Sequence, residues 1–290
     1  MDLRTPGVFL FLDSLSGART RALVKDVERL GYSAVWFPEV FGREPFSFAS
    51  YLLAQTEHLI IATGIVVPYA YEPFAIANAT RTLAELYGDR FLLGMGVSNA
   101  QGNKKRGIPY GKPISFMKDY LTRLESVPYA APAPEAAPPI VLAGMMPNML
   151  RLAATQTQGT HTYFTVVDQI TETRKVLGPE PWLCAALAVI LETDPERARA
   201  TARDYMRTYL AIEHYRERFL EVGFSAADFG SGGSDRLVDS VVVWGDEESI
   251  RKRVFEYYAA GASHVCILPL QPGGGLTPHE EAITLLSPAA

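Results

Sequence analysis

The chain has 290 residues, 48% of them hydrophobic and 20% charged, enough to bury one large core or two medium ones. Its net charge of -5 offers no basic field to nucleic acid, and no window approaches the roughly 18 unbroken apolar residues of a membrane helix, so neither partner is expected. The two cysteines, Cys184 and Cys266, each lie inside an apolar run and read as reduced core thiols, not as a disulfide framework. The opening MDLRTPGVFLFLD shows neither a basic leader nor a small-residue cleavage site, from which a cytoplasmic location is expected.

Short apolar runs alternate with helical patterns from one end to the other. The first run, VFLFL from Val8, leads to Asp13; ARTRALVKDVERLGY then carries Leu23, Val27 and Leu30 at helical spacing and stops at Gly31, a suitable left-handed cap. AVWF from Ala34 leads to Glu39. IIATGIVV from Ile60 holds Gly64 in its middle, where a residue without a side chain weakens a strand and marks a bulge or a close backbone approach. RFLL from Arg90 leads into GMGVSN; the third glycine of a dinucleotide fingerprint is missing and the strand is not the first, so a Rossmann site is not expected. The following QGNKKRG reads as a loop whose cationic run, Lys104, Lys105 and Arg106, lies beside amides suited to an anion.

Residues 127 to 139, rich in proline and alanine, read as an extended connection. IVLA from Ile140 precedes AGMMPNMLRLAA, in which Pro147 suits a first helical position and leaves the opening amides turned toward whatever lies above the strand ends. HTYF from His161 and WLCAALAVI from Trp182 are the sixth and seventh runs. Residues 195 to 222 read as one long helical pattern followed by FGSGGSD, together a lid or a subunit contact, with Tyr205, Tyr209 and Tyr215 read as packing groups ahead of ligand contacts. SIRKRVFEYYAAGA stops at Gly261, and SHVCIL from Ser263 is the eighth run.

Most of these runs are apolar on both faces, which implies a parallel sheet covered on both sides. Eight of them with intervening helices close most economically into a (β/α)8 TIM barrel, a single domain over residues 1 to 290 with a helical insertion between strands 7 and 8 at about 195 to 240. In such a barrel the working residues lie at the C-terminal strand ends: Asp13, Glu39, Val67 to Tyr71, Gly94 to Asn99, Gly144 to Asn148 and Thr165. None of the five histidines pairs with cysteine or carboxylate at metal-ligand spacing, so no metal is expected. No GxSxG elbow supports acyl transfer.

Three segments, GYSAVWFPEVFG, TEHLIIATGIVVPYAYEPFAIANATRTLAELYGDRFLLGMGVS and PPIVLAGMMPNMLRLAA, together resemble the luciferase-like monooxygenase superfamily, and in particular its branch dependent on the deazaflavin coenzyme F420. The likeness covers nearly the whole chain and is most specific over residues 58 to 98. It implies a third strand bulged at a cis peptide without proline, here Gly64 to Ile65, backing the coenzyme's ring. It further implies Val97, Ser98 and Asn99 beside the ribityl and phosphate portion, with Gly144, Met145 and Met146 giving amides to the same phosphate. Asp13 and Glu39 would border the ring or the substrate, while Trp36, Val40, Tyr69 and Tyr71 would wall the substrate pocket. The family's acid and base assignments do not carry over; if a proton is needed, Glu39, between the apolar Trp36 and Phe41, is the first candidate and Tyr69 the second. Two positions depart from the pattern. Many relatives carry a histidine where this chain has Val40, and a glutamate of one sugar-phosphate dehydrogenase in the family is replaced by Asn99. The implied activity is hydride exchange between coenzyme F420 and a small organic substrate, by a homodimer; the alternatives are an FMN-dependent monooxygenase and a catalytically idle cofactor-binding protein.

Overall fold

The computed structural model describes residues 1 to 289. Nine parallel strands are present: β1 (Gly7–Phe9), β2 (Ala34–Phe37), β3 (Ile60–Thr63), β4 (Phe91–Met95), β5 (Ile140–Ala143), β6 (Gly159–Thr162), β7 (Trp182–Leu191), β8 (Val242–Gly245) and β9 (His264–Pro269). Neighbours pair in chain order from β1 to β7, then β7 pairs with β9 and β9 with β1, which closes an eight-stranded (β/α)8 barrel. The remaining strand, β8, is an addition to that ring. β6 leaves β7 after the Thr162–Ala185 pair, and β8 takes the same edge from Ala188 to Leu191.

Strand alternation sorts the core into two layers. Phe9, Trp36, Ala62, Leu92, Val141 and Cys184 point into the lumen. Val8, Val35, Ile61, Leu93, Leu142 and Leu183 point outward, where helices cover them. The helices that follow β1 to β3 are α1 (Gly17–Arg29), α2 (Pro45–Leu53) and α3 (Pro73–Tyr87); after β4 come α4 (Ala100–Lys105) and α5 (Pro113–Glu125), then α6 (Pro147–Gln156) and α7 (Val167–Leu177). Between β7 and β8 lie α8 (Pro195–Leu210), α9 (Glu213–Glu221) and α10 (Asp235–Val241), followed by α11 (Glu247–Ala259) and α12 (Glu280–Leu285). Several start as their sequences dictate: Ser16, Glu44, Asp194 and Asp246 cap first-turn amides with their side chains.

Three local readings change. The strand VVWG carries no mark in the sequence, because α10 runs directly into it at Val241 with no glycine or proline between them. QGNKKR is not a loop but the short α4, nucleated by Asn99, whose side chain accepts the Gly102 amide at 2.8 Å. The long pattern from 195 breaks at the extended Ile212, so that Phe219 of α9 turns inward and is fully buried, 5.6 Å from Phe164.

Candidate active site

The C-terminal strand ends surround a cavity of about 940 Å³. Its floor follows from Gly64. The β3 ladder stops at Thr63, the Gly64–Ile65 peptide is cis, and pairing resumes only at the Val66–Met95 bridge. A Cβ at Gly64 would stand 2.6 Å from Phe9 Cε2 and 3.5 Å from His161 Nε2, so the backbone rests directly on these two rings. Ile65 fits because its neighbour is also glycine: a Cβ at Gly96 would lie 2.9 Å from Ile65 Cδ1 and 2.7 Å from the Ala143 Cβ.

Two backbone segments flank this floor. After β4, Val97, Ser98 and Asn99 line the cavity, and the fully buried Asn103 fixes their path by donating to the carbonyls of Val97 at 2.8 Å and Asn99 at 3.1 Å. Ser98 adopts φ 57°, a left-handed conformation that folds the chain back over the strand end. After β5, Gly144, Met145, Met146 and Asn148 line the adjoining side. α6 begins there with Pro147, which has no amide, and with no side-chain cap; Met149 donates to the Met146 carbonyl at 3.0 Å, which leaves the Asn148 amide of the opening turn available to a polar ligand atom.

Glu39 is the carboxylate at the cavity wall. Its Oε2 accepts the Val67 amide at 2.8 Å, and the Tyr71 hydroxyl stands 3.4 Å from Oε1. Burial pushes the Glu39 carboxyl above the usual carboxylate range, against the opposing pull of the Val67 amide and the Arg106 guanidinium. Arg106 also lines the cavity, donating to the carbonyls of Glu39 at 3.2 Å and Val40 at 3.0 Å. Lys104 and Lys105 stay exposed outside it, so only one member of the cationic run reaches the site.

The profile of the luciferase-like monooxygenase family matches residues 7 to 264. The chain belongs to the luciferase-like monooxygenase family. It is similar to the 5,10-methylenetetrahydromethanopterin reductase of Methanolobus tindarius, at 22% identity over 283 residues that cover 83% of this chain and 87% of that protein. The enzyme of the same name from Archaeoglobus fulgidus is 26% identical over 148 residues, 45% of either chain, so less than half of that relative's length is spanned. Among solved structures, an F420-dependent secondary alcohol dehydrogenase in complex with an F420–acetone adduct superposes with a TM-score of 0.78 at 15% identity, covering 100% of this chain and 98% of that one. The oxygenating constituent of 3,6-diketocamphane monooxygenase from Pseudomonas putida, in complex with FMN, superposes with a TM-score of 0.73 at 14% identity, covering 100% and 98%. At such identities these likenesses carry the fold.

Of the residues that the family resemblance singled out, the cavity brings together Glu39, Val40, Gly64, Ile65, Val97, Ser98 and Asn99 with Gly144, Met145 and Met146. Four others lie elsewhere. Asp13 is solvent-exposed outside the cavity and accepts the Arg43 amide at 3.3 Å, holding the loop after β2. Trp36 is wholly buried in the lumen below, stacked on His161 at 4.6 Å with its indole N–H donated to His264 Nε2 at 3.0 Å. Tyr69 stacks on Phe116 at 3.9 Å, away from the cavity, and Tyr71 reaches it only through Glu39. Trp36 faces the lumen but is covered by the His161 ring, which itself lines the cavity, and the other three leave turn or loop backbone.

Sequence reasoning missed the opposite wall. Phe11 continues from β1, Tyr163 from β6, and Tyr205, Tyr209 and Tyr215 come from α8 and α9. The signal for Tyr163 was in the run HTYF, whose residues 161 and 163 share a face with the cavity. The tyrosines of α8 carry no such mark, because packing and ligand contact ask for the same residue type.

Proposed function

We propose that this chain is a cytoplasmic oxidoreductase that exchanges a hydride between coenzyme F420 and a small organic molecule. The observation that carries this reading is the flat Gly64–Ile65 floor, flanked on adjoining strands by the segments 97–99 and 144–148. These residues fit the group. An apolar floor of Gly64, Ile65 and Val97 suits a planar heterocycle, and the Asn148 amide at the start of α6 suits a phosphate oxygen. The coenzyme, once bound, supplies the two-electron hydride chemistry. The chain's own part is to orient the ring on the floor, to exclude water with the helices that cover the mouth, and to hold a proton on Glu39, whose raised pKa lets it act as an acid nearer neutrality. In the same reading the block from about 195 to 240 is an insertion covering the cavity, since Thr201, Tyr205 and Tyr209 line it.

Titrating the purified chain with the deazaflavin coenzyme and with FMN, followed by ring fluorescence, tests the reading. Saturable binding of the deazaflavin at micromolar concentration is expected. Tight binding of FMN alone would overturn it in favour of an FMN-dependent monooxygenase, the reading that the fold likeness to the FMN-bound camphane enzyme supports. Binding without turnover of enones, aldehydes or imines favours an idle carrier, for which Val40 and the Asn99 oxygen already occupied at the α4 cap speak. The homodimer belongs to this reading too, supported by the exposed Phe41, Phe74 and Leu86, and is checked by light scattering.

A further inference from the structure

The half of the cavity facing Gly64–Ile65 is walled by phenols. Tyr163 follows β6, Tyr205 and Tyr209 stand one turn apart on α8, and Tyr215 comes from α9. Their rings touch one another: Tyr163 and Tyr209 lie 5.2 Å apart, Tyr205 and Tyr209 5.2 Å, and Tyr209 and Tyr215 6.0 Å, all tilted or edge-on. Rings packed together in this way make one continuous wall, not a box of separate faces around a common point of the kind that receives a cation. Such a wall offers flat apolar faces to a planar guest.

The charges beside these tyrosines give no grip on an ion, and Arg106, which also lines the cavity, donates to the carbonyls of Glu39 and Val40. His214 stacks 4.4 Å from Tyr215, and burial lowers its pKa, keeping the imidazole neutral. Asp204 and Arg207 sit at the solvent rim, 3.9 Å from each other, and offset one another. Burial raises the phenols' own pKa values, so they remain neutral donors. The Tyr163 and Tyr209 hydroxyls are 2.9 Å apart. One hydrogen bond between two phenols consumes one of their two O–H groups, so one O–H is left to donate elsewhere. A third phenol joined to the pair does not change this count, because a chain of hydroxyls always has one donor more than it has bonds.

We propose that this wall is a substrate subsite for planar, uncharged aromatic carbonyl compounds, whose oxygen accepts a hydrogen bond from the Tyr163–Tyr209 pair. The proposal deepens the oxidoreductase reading and rests on it for the word substrate; the binding itself is tested on the chain without coenzyme. The cavity, about 940 Å³, stands at the upper end of the roughly 300–1,000 Å³ usual for small-molecule sites, which leaves room for such a compound beside a ring on the floor.

The test measures binding of acetophenone, benzoate and cyclohexyl methyl ketone by ligand-observed NMR, on the wild type and on the variants Tyr163→Phe, Tyr209→Phe and their double, which keep the rings and remove the hydroxyls. Acetophenone is expected to bind best, with benzoate and the non-planar ketone each weaker by about tenfold. The double variant should lose about three- to tenfold in acetophenone affinity, the worth of one net hydrogen bond. Equal binding of the three probes, tighter binding of benzoate, no binding of acetophenone, or an unchanged double variant would each overturn the proposal. Should the double variant fail to fold, the order of the three probes on the wild type decides alone. A chain that binds acetophenone in this order but not the deazaflavin keeps the subsite and loses the oxidoreductase reading.

Discussion

In the proposed function Glu39 is the residue that holds the proton, and its environment makes two outcomes measurable. Its carboxyl is raised in the folded chain, so the folded state keeps a proton at pH values where the unfolded chain has lost it. Stability contributed by this group therefore falls as pH rises through that window, and Glu39→Gln should flatten the fall in a series of thermal midpoints. The same substitution should lower turnover by about a hundredfold, in the range of a lost general acid, while deazaflavin affinity changes little. Tyr69→Phe should leave turnover within about twofold, because its ring stacks on Phe116 away from the cavity. Two lumen histidines have the opposite sign. Burial pushes His161 down to about 3 and His264 down to about 4, so both stay neutral in the folded chain while the unfolded chain takes up protons near the ordinary value. Stability is full above that value and is lost as pH falls below it, by about 1.4 kcal/mol per pH unit for each group. His161→Phe should remove one of these contributions, seen as a shallower acid limb in chemical denaturation between pH 6.5 and 4.

At the scale of the element, the junction after β4 shows what holds the cavity in shape. Asn103 is fully buried and spends its amide on the carbonyls of Val97 and Asn99. Asn103→Ala strands the Val97 carbonyl, while the Asn99 carbonyl keeps the backbone amide of residue 103, and should cost about 1–3 kcal/mol in urea denaturation, with a parallel loss of deazaflavin affinity. Gly96→Ala drives a methyl against Ile65 and Ala143 and should cost about 1–3 kcal/mol by overpacking. Elements like this one also mark what a sequence can and cannot disclose. The β3 run showed its glycine, and the barrel followed from apolar runs of strand length, since each must be covered on both faces. Pro147 at the helix start after β5 was likewise readable, because a proline at a first turn has one meaning. β8 was not, for want of a boundary residue between it and α10. Nor were the positions of Trp36, which lies a layer too deep in the lumen behind His161, and of Tyr69, whose direction depends on where the β3 ladder stops, which composition does not encode.

For the whole molecule, one equilibrium joins site and fold. A ligand that binds only the folded barrel stabilises it by mass action, about 2.7 kcal/mol at a concentration one hundred times its Kd. The thermal midpoint should therefore climb with the logarithm of deazaflavin concentration, and a midpoint that ignores the coenzyme up to millimolar levels would contradict the proposed function. Coincident transitions by lumen tryptophan fluorescence and by circular dichroism would show that barrel and covering helices melt together.

The departure of β6 from β7 after Thr162, with β8 joining only at Ala188, has a bearing on inheritance. At that seam the rim is knitted by aromatic rings and not by ladder bonds, so residues 205 to 215 can be exchanged without unpicking a single strand. Descendants of such a chain can retune which guests they admit at the pace of helix-surface drift, while the eight staves below stay as they are.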